Sequence, residues 1–278
     1  MKNTWITHIW RTLAATALAT LLLATPAPAD APLLGDMNGD GEVNSYDIDG
    51  FILCIGTGGC GHAGPVAWWA FDCNARDYGS DLNHGTEYGG YSYVTGVRES
   101  ALSFDGTTGY ADLQEITNLD GFAALTIAVW IKPATGLNAD TGRQDFLYKG
   151  QPYQHAASYA LNYDDRDGAL GFGLHSASNW FDESFIAYDA EFPANEWFHV
   201  VCTYDGTSLV QMYVNGTPVG TEYGTGMNGP IFDIADPLTV GRRTDGNYYF
   251  NGALDELRIY DRELSPDAIQ QLYETTMP

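Results

Sequence analysis

Leu125-Thr126-Ile127-Ala128-Val129-Trp130-Ile131 is the stretch that decides the fold. Leu125, Ile127, Val129 and Ile131 are purely apolar, while Thr126, Ala128 and Trp130 alternate with them and Lys132 follows. A period of two is that of a β-strand, whose successive side chains point to opposite faces. The apolar set faces a core, and the other set puts Trp130 on a mixed, partly wet face. Outward from this run, similar short runs stand at 66–71, 101–104, 158–163, 170–175, 198–204, 209–214, 238–240 and 253–260. Turn pairs separate them: Asp105-Gly106, Asp167-Gly168, Asp205-Gly206, Asn215-Gly216 and Asp245-Gly246. Strands at this spacing, with almost no helix between them, predict a mainly β, two-sheet antiparallel sandwich over residues 65–275. That length suffices for one sizeable core. Only the end reads as helix, with Ser265 as cap, Pro266 in the first turn and 267–273 as body.

The N-terminal part differs. Residues 36–47 place oxygen-bearing side chains at Asp36, Asn38, Asp40, Asn44 and Asp47, with Gly41 at the sharp turn and Glu42 offering its backbone carbonyl. This is the EF-hand spacing that supplies a hard cation such as Ca²⁺ with oxygens. Ile48, Phe51, Ile52 and Ile55 then fall on one face of a helix, which the glycines after Gly56 end. Residues 30–61 therefore read as a small EF-hand-like loop-helix module, too small to bury a core alone.

Residues 1–29 read as a secretory signal: Lys2 and Arg11, an apolar run over 13–23, and Ala27-Pro28-Ala29 as a small-residue cleavage site. The alternative is an uncleaved N-terminal anchor. No later stretch is long and apolar enough to span a membrane, so membrane insertion is not expected. The chain is expected to be secreted or at the cell surface. Its formal charge is −24, which makes nucleic acid and anionic membrane poor partners. Four cysteines in an exported chain suggest disulfides. Cys54 and Cys60 look like a local clip, worth about 2–3 kcal/mol in the chain-entropy model. Cys73 and Cys202 either pair across the domain or leave Cys202 as a buried thiol.

Residues 36–55 resemble one half of a dockerin, the calcium-dependent module that docks secreted glycan-degrading enzymes onto cohesin scaffolds. The string Asp-x-Asn-x-Asp-Gly-x-Val-Asn-x-x-Asp carries the resemblance. Dockerins carry two such repeats. Here the nearest second candidate, Asp165-Arg166-Asp167-Gly168, has Tyr163 where the first ligand should stand, and it reads as a hairpin turn. The lone repeat implies either a cohesin-like partner or a structural calcium clip.

Residues 65–275 resemble a LamG-like (concanavalin A-like) jelly roll. The carriers are Trp69-Ala70-Phe71-Asp72, Asn83-His84-Gly85-Thr86, the 101–106 and 125–133 runs, Trp197-Phe198-His199-Val200-Val201, and the ending 252–265 with Asp255-Glu256-Leu257-Arg258-Ile259-Tyr260. The resemblance implies a structural calcium between an early loop and the last strand, at Asp72, Asp77 and Asp255. Read as residues alone, Asp77 and Asp81 make a polar loop and Asp72 caps a strand.

If the strands bearing Trp130, His199, Gln211 and Tyr213 share an open sheet face, these four make a stacking floor with hydrogen-bonding neighbours, suited to a sugar. If a loop covers Trp130, they are packing residues. Trp180-Phe181 and Tyr248-Tyr249-Phe250 are further loop aromatics. Retaining glycoside hydrolysis needs two carboxylates roughly 5–5.5 Å apart, and the Glu-x-Asp-x-Glu string that supplies them in jelly rolls does not occur. Nor does a Gly-x-Ser-x-Gly or His-Glu-x-x-His motif. The expected protein is a secreted, non-catalytic, calcium-binding protein that recognises carbohydrate or an extracellular protein. The alternatives are a small glycan-active hydrolase or lyase, and a cell-surface or matrix assembly unit. The Asn215-Gly216-Thr217 sequon coincides with a turn that Asn-Gly explains by itself.

Overall fold

The apolar half of the 125–133 run lies in the middle of a sheet and faces a second sheet. The computed structural model describes residues 64–79, 83–114, 119–138, 140–151, 156–164, 168–175, 183–223, 229–234 and 236–278. In chain order the strands are β1 (Ala67–Trp69), β2 (Gly85–Tyr88), β3 (Tyr91–Thr95), β4 (Ser100–Asp105), β5 (Tyr110–Leu113) and β6 (Leu125–Pro133). Then come β7 (Gln144–Gln151), β8 (Ala156–Asp164), β9 (Ala169–His175), β10 (Glu183–Asp189) and β11 (Phe198–Tyr204). The last are β12 (Val210–Val214), β13 (Thr217–Val219), β14 (Thr221–Tyr223), β15 (Leu238–Val240) and β16 (Asn251–Tyr260), followed by helix α1 (Pro266–Thr276).

The first sheet runs β13-β12-β11-β6-β16-β4-β3, with β1 also paired to β16, and the second runs β14-β10-β9-β8-β7-β15-β5-β2. The pairings are antiparallel. Between the sheets lie Leu125, Ile127, Val129 and Ile131 from β6, Val200 and Cys202 from β11, Leu161 and Tyr163 from β8, and Phe172 and Leu174 from β9. Every strand expected from the sequence is present, together with β2, β3, β5, β7, β10, β13 and β14, which were not expected.

Local chemistry makes the turns. Asp105 Oδ1 accepts from the amides of Thr107, Thr108 and Gly109, and Asp205 Oδ1 does the same for Thr207, Ser208 and Leu209. Asn215 (φ 50) and Gly216 (φ 75) sit in the left-handed region that a two-residue hairpin demands. Asn215 also turns its side chain inward, accepting from the His199 amide at 2.9 Å.

Two buried charged groups pair with each other. Lys149, fully buried, reaches Asp120 at 3.1 Å and donates to the carbonyls of Ile234 and Asp236. Asp120 in turn accepts from Ser158 and from the Ile234 amide. Desolvation is offset because acceptors surround the ammonium.

Helix α1 starts as expected: Ser265 Oγ accepts from the Ala268 amide at 3.3 Å, with Pro266 next. Its apolar side, with Ile269 and Leu272, packs on Ala128, Val201, Tyr213, Tyr260 and Leu264. Among the described residues no helix is long and apolar enough to cross a membrane. Cys202 is a buried free thiol on β11 and Cys73 an exposed one, so the cross-domain pair is not formed. Cys54 and Cys60 lie outside the described residues.

Candidate functional site

Each sheet has one outer face, and α1 covers part of the outer face of the first. The expected floor is underneath it. Trp130 stacks on Tyr273 at 5.7 Å between ring centres, lies 5.0 Å from His199, and donates its indole N–H to Thr276 Oγ1 at 2.9 Å. Trp130 and His199 are 2% and 1% exposed, so neither can stack a sugar while the helix is in place. Tyr213 is buried against α1, and its hydroxyl donates to Gln211. The expectation of an open floor is corrected: alternation places the four residues on an outer face, and the chain's own C-terminus fills that face. Burial holds the His199 imidazole neutral, down to about 3, with the Arg258 charge adding to the effect.

The outer face of the second sheet is different. Register puts Asp112, Thr239, Tyr148, Ala160, Gly173 and Phe185 side by side across β5, β15, β7, β8, β9 and β10. The next row holds Asn162 and Gly171. Tyr148 packs over Ala157 and Ala160. A side chain at Gly171 would come within 2.7 Å of the Phe185 ring, so the absent Cβ lets that ring lie along the sheet beside Asn162. Small residues in the middle and rings on either side make a shallow trough with an amide in its floor.

A charged cluster borders the trough. Arg143 Nε reaches Asp145 Oδ1 at 2.8 Å and its Nη1 stands 3.6 Å from Asp164; Arg243 binds Asp245 through Nε and Nη2 at 3.0 and 2.6 Å. Tyr248 lies against both guanidiniums, at 5.0 and 4.4 Å. It is 40% exposed and has φ 57, a conformation rare for a bulky residue. Burial pushes the Asp145 carboxyl up to about 6 against the pull of Arg143 and Arg243. It also pushes the Tyr148 phenol up to about 12. Tyr148 therefore stays a neutral donor and acceptor. The sequence named Tyr248 only as a loop aromatic and missed Tyr148, Asn162 and Phe185. Their signal is the Gly-Phe-Gly of β9, which reads as weak strand until the neighbouring ring is seen.

The implied calcium residues are placed in part. The 36–47 loop, with Asp36, Asn38, Asp40, Glu42, Asn44 and Asp47, lies outside the described residues. Asp77 has less to offer a cation: its carboxylate accepts from the amides of Trp68, Gly79 and Asn83, each at 2.7 Å, and ties that loop together. Asp255 fits one better. It is fully buried, Oδ2 accepts from Val97 at 2.7 Å, and Oδ1 has no hydrogen-bond partner among the described residues. Burial and then the Glu256 charge push it up to about 8, with the Asp72 charge contributing. Among the described residues no three His, Cys, Asp or Glu side chains gather to hold a metal, so Asp72, Asp77 and Asp255 do not form a three-carboxylate set. Asp255 also sits in a bulge of β16, where Glu256 has φ 53, so Asp255 and Glu256 do not simply alternate as a regular strand would have them.

With this geometry the chain belongs to the concanavalin A-like lectin/glucanases superfamily, whose Laminin_G_3 model matches residues 105–270. It is 23% identical over 179 residues to the adhesion G-protein coupled receptor V1 of Danio rerio, covering 62% of this chain and 3% of the receptor. It is 28% identical over 104 residues to the human adhesion G-protein coupled receptor D1, covering 36% of this chain and 12% of the receptor. The chain thus spans a small part of the curated relatives it matches. Among solved structures it resembles domain 4 of an extracellular arabinanase from Geobacillus stearothermophilus, in complex with arabinotriose. That match has TM-score 0.56 and 20% identity, over 76% of this chain and 98% of that one. It also resembles the binding domain of Paraclostridial Mosquitocidal Protein 1, with TM-score 0.60 and 18% identity, over 76% and 52% of the two chains. A further likeness is the binding domain of botulinum neurotoxin DC in complex with SialylT, TM-score 0.56 and 14% identity, over 77% and 52%.

Proposed function

We propose that this is an extracellular, non-catalytic glycan-binding protein whose ligand lies on the outer face of the second sheet. The carrying observation is the trough between Tyr148 and Phe185, floored by Ala160, Gly171, Gly173 and Asn162. A sugar lays its C–H face on aromatic rings and its hydroxyls against amides and paired charges. The leader-like 1–29 segment and the extracellular arabinanase domain support the location. The arabinotriose complex supports the ligand class by analogy of fold. Calcium belongs to the same reading: the oxygen spacing of 36–47 supports a metal-tied N-terminal module, and the orphaned oxygen of Asp255 supports a second ion beside Asp72.

A protein partner is the second reading, favoured by exposed Tyr88, Tyr91 and Tyr248. A glycan array probed with calcium present tests the first. Bound oligosaccharide should be lost by about tenfold or more in Asn162→Ala and Phe185→Ala, the scale of one lost polar or stacking contact. Both variants should melt near the wild-type temperature. A wild type that binds no glycan sinks the proposal, and reducing-sugar release from any polysaccharide would replace it with the hydrolase reading.

A further inference from the structure

Between β15 and β16 the chain folds back, so that Arg242 meets Tyr249 and Arg243 meets Tyr248. The two arginines have different surroundings. Arg243 is held by Asp245, as Arg143 is by Asp145. Arg242 has no carboxylate within ion-pair distance among the described residues. Its guanidinium carbon lies 3.4 Å above the centre of the Tyr110 ring, and Tyr110 stacks on Tyr88 at 4.9 Å with their planes 17° apart. Its hydrogen bond goes from Nη1 to the Tyr249 hydroxyl, at 3.2 Å, while Nε is buried and meets no acceptor among the described residues. A Cβ at Gly246 would stand 3.3 Å from Nη1, so glycine lets the turn close against the guanidinium.

Packing alone accounts for a guanidinium on a tyrosine. It does not account for leaving the Nε donor unmet, since a buried donor without an acceptor costs about 1–3 kcal/mol. A planar cation with free donors is the natural partner of a carboxylate, which it can take by two parallel hydrogen bonds. Tyr88, 42% exposed at the outer end of the stack, offers a ring for the C–H face of the same sugar. The chain's charge of −24 repels polyanions, so the fit is to an oligosaccharide with one isolated carboxylate rather than to a polysulfated chain.

We propose that Arg242, with Tyr88, Tyr110 and Tyr249, forms an acidic-sugar subsite that recognises a carboxylate on the bound glycan. This rests on the reading of the second sheet's outer face as the glycan site. Tyr110 and Tyr88 are in register at the end of β5 and β2, and Asp112 and Thr239 stand between them and Tyr148.

Titration calorimetry with glucuronic-acid- and sialic-acid-terminated trisaccharides, each against its methyl ester, tests it. The wild type should bind an acid about tenfold or more tighter than its ester, the worth of one charge-assisted hydrogen-bond pair. Which of the two acids is preferred identifies the source of the carboxylate. Arg242→Gln should bring the acid-to-ester ratio near one, with the loss of affinity falling chiefly on the acid. Arg242→Met, which keeps the stem over Tyr110 without the charge, should do the same, and Tyr88→Ala should weaken acid and ester alike. Thermal melts establish that the variants are folded. Equal binding of acid and ester by the wild type overturns the subsite and leaves the glycan face standing, as does a preference that survives in either folded Arg242 variant. A wild type that binds neither acid nor ester removes both.

Discussion

The indole N–H of Trp130 donates to the hydroxyl of Thr276, 2.9 Å away across the seam between β6 and α1. The bond joins the middle of the sandwich to the end of the chain. It makes Trp130 a packing residue, and the helix a lid on the face that a reading of β6 alone would leave open.

Trp130→Ala should cost about 3–5 kcal/mol, the range for removing a buried large aromatic. Thr276→Val should cost about 1 kcal/mol for one hydrogen bond. Both belong to stability, so denaturant midpoints should fall while glycan affinity of the folded protein is unchanged. A Trp130→Ala protein with an unaltered midpoint and lost affinity would restore Trp130 to the ligand site.

Stability should fall in acid because of His199. Its folded value, about 3, lies below the ordinary value near 6.5 of an unfolded chain. Between those values the unfolded state binds the extra proton, so stability is fully present above about pH 6.5 and declines by about 1.4 kcal/mol per unit as pH falls toward 3. Asp145 acts in the opposite sense over about pH 4 to 6, since burial raises its carboxyl. Denaturation of wild type and His199→Phe at several pH values isolates the histidine by difference. Parallel curves would contradict the assignment.

Lys149→Met should lower stability by about 3–5 kcal/mol, because it leaves Asp120 buried without its cation. Adding Asp120→Leu should recover part of that loss, since removing both charges removes the unpaired one. A double variant less stable than the single one would mean that the hydrogen bonds of Asp120 to Ser158 and Ile234 outweigh the ion pair.

Calcium titration of the EGTA-stripped protein should show binding that weakens about tenfold or more when Asp36 and Asp40 are both changed to Ala, since charge count sets loop affinity. Asp255→Asn should remove a separate step, and Asp77→Asn should leave calcium binding unchanged while lowering the melting temperature. A flat titration of the wild type would leave no metal in this protein.

Much of the sandwich is written locally. Period-two runs such as 125–131 and 198–204 declare strands because alternation depends on neighbours in sequence, and Asp-Gly and Asn-Gly pairs declare turns for the same reason. Ser265-Pro266 marks the helix start. β2, β3 and β13 carry polar or exposed residues and show little alternation; only the ladder beside each makes it a strand. The bulge at Asp255–Arg258 is invisible in a run that reads as a regular strand.

The sequence alone determined part of the core strands, β6, β8, β9, β11 and β16 among them, with the sandwich class and the faces on which Trp130 and His199 stand. It also carries the oxygen spacing of 36–47. Tertiary structure decided which face is open, because what covers Trp130 is Thr276 and Tyr273, far along the chain. It decided too that Tyr148, Asn162 and Phe185 adjoin, and that Arg242 lies on Tyr110 with no carboxylate within ion-pair distance among the described residues. Burial and pairing between distant segments are properties of the packed molecule, and no local pattern encodes them.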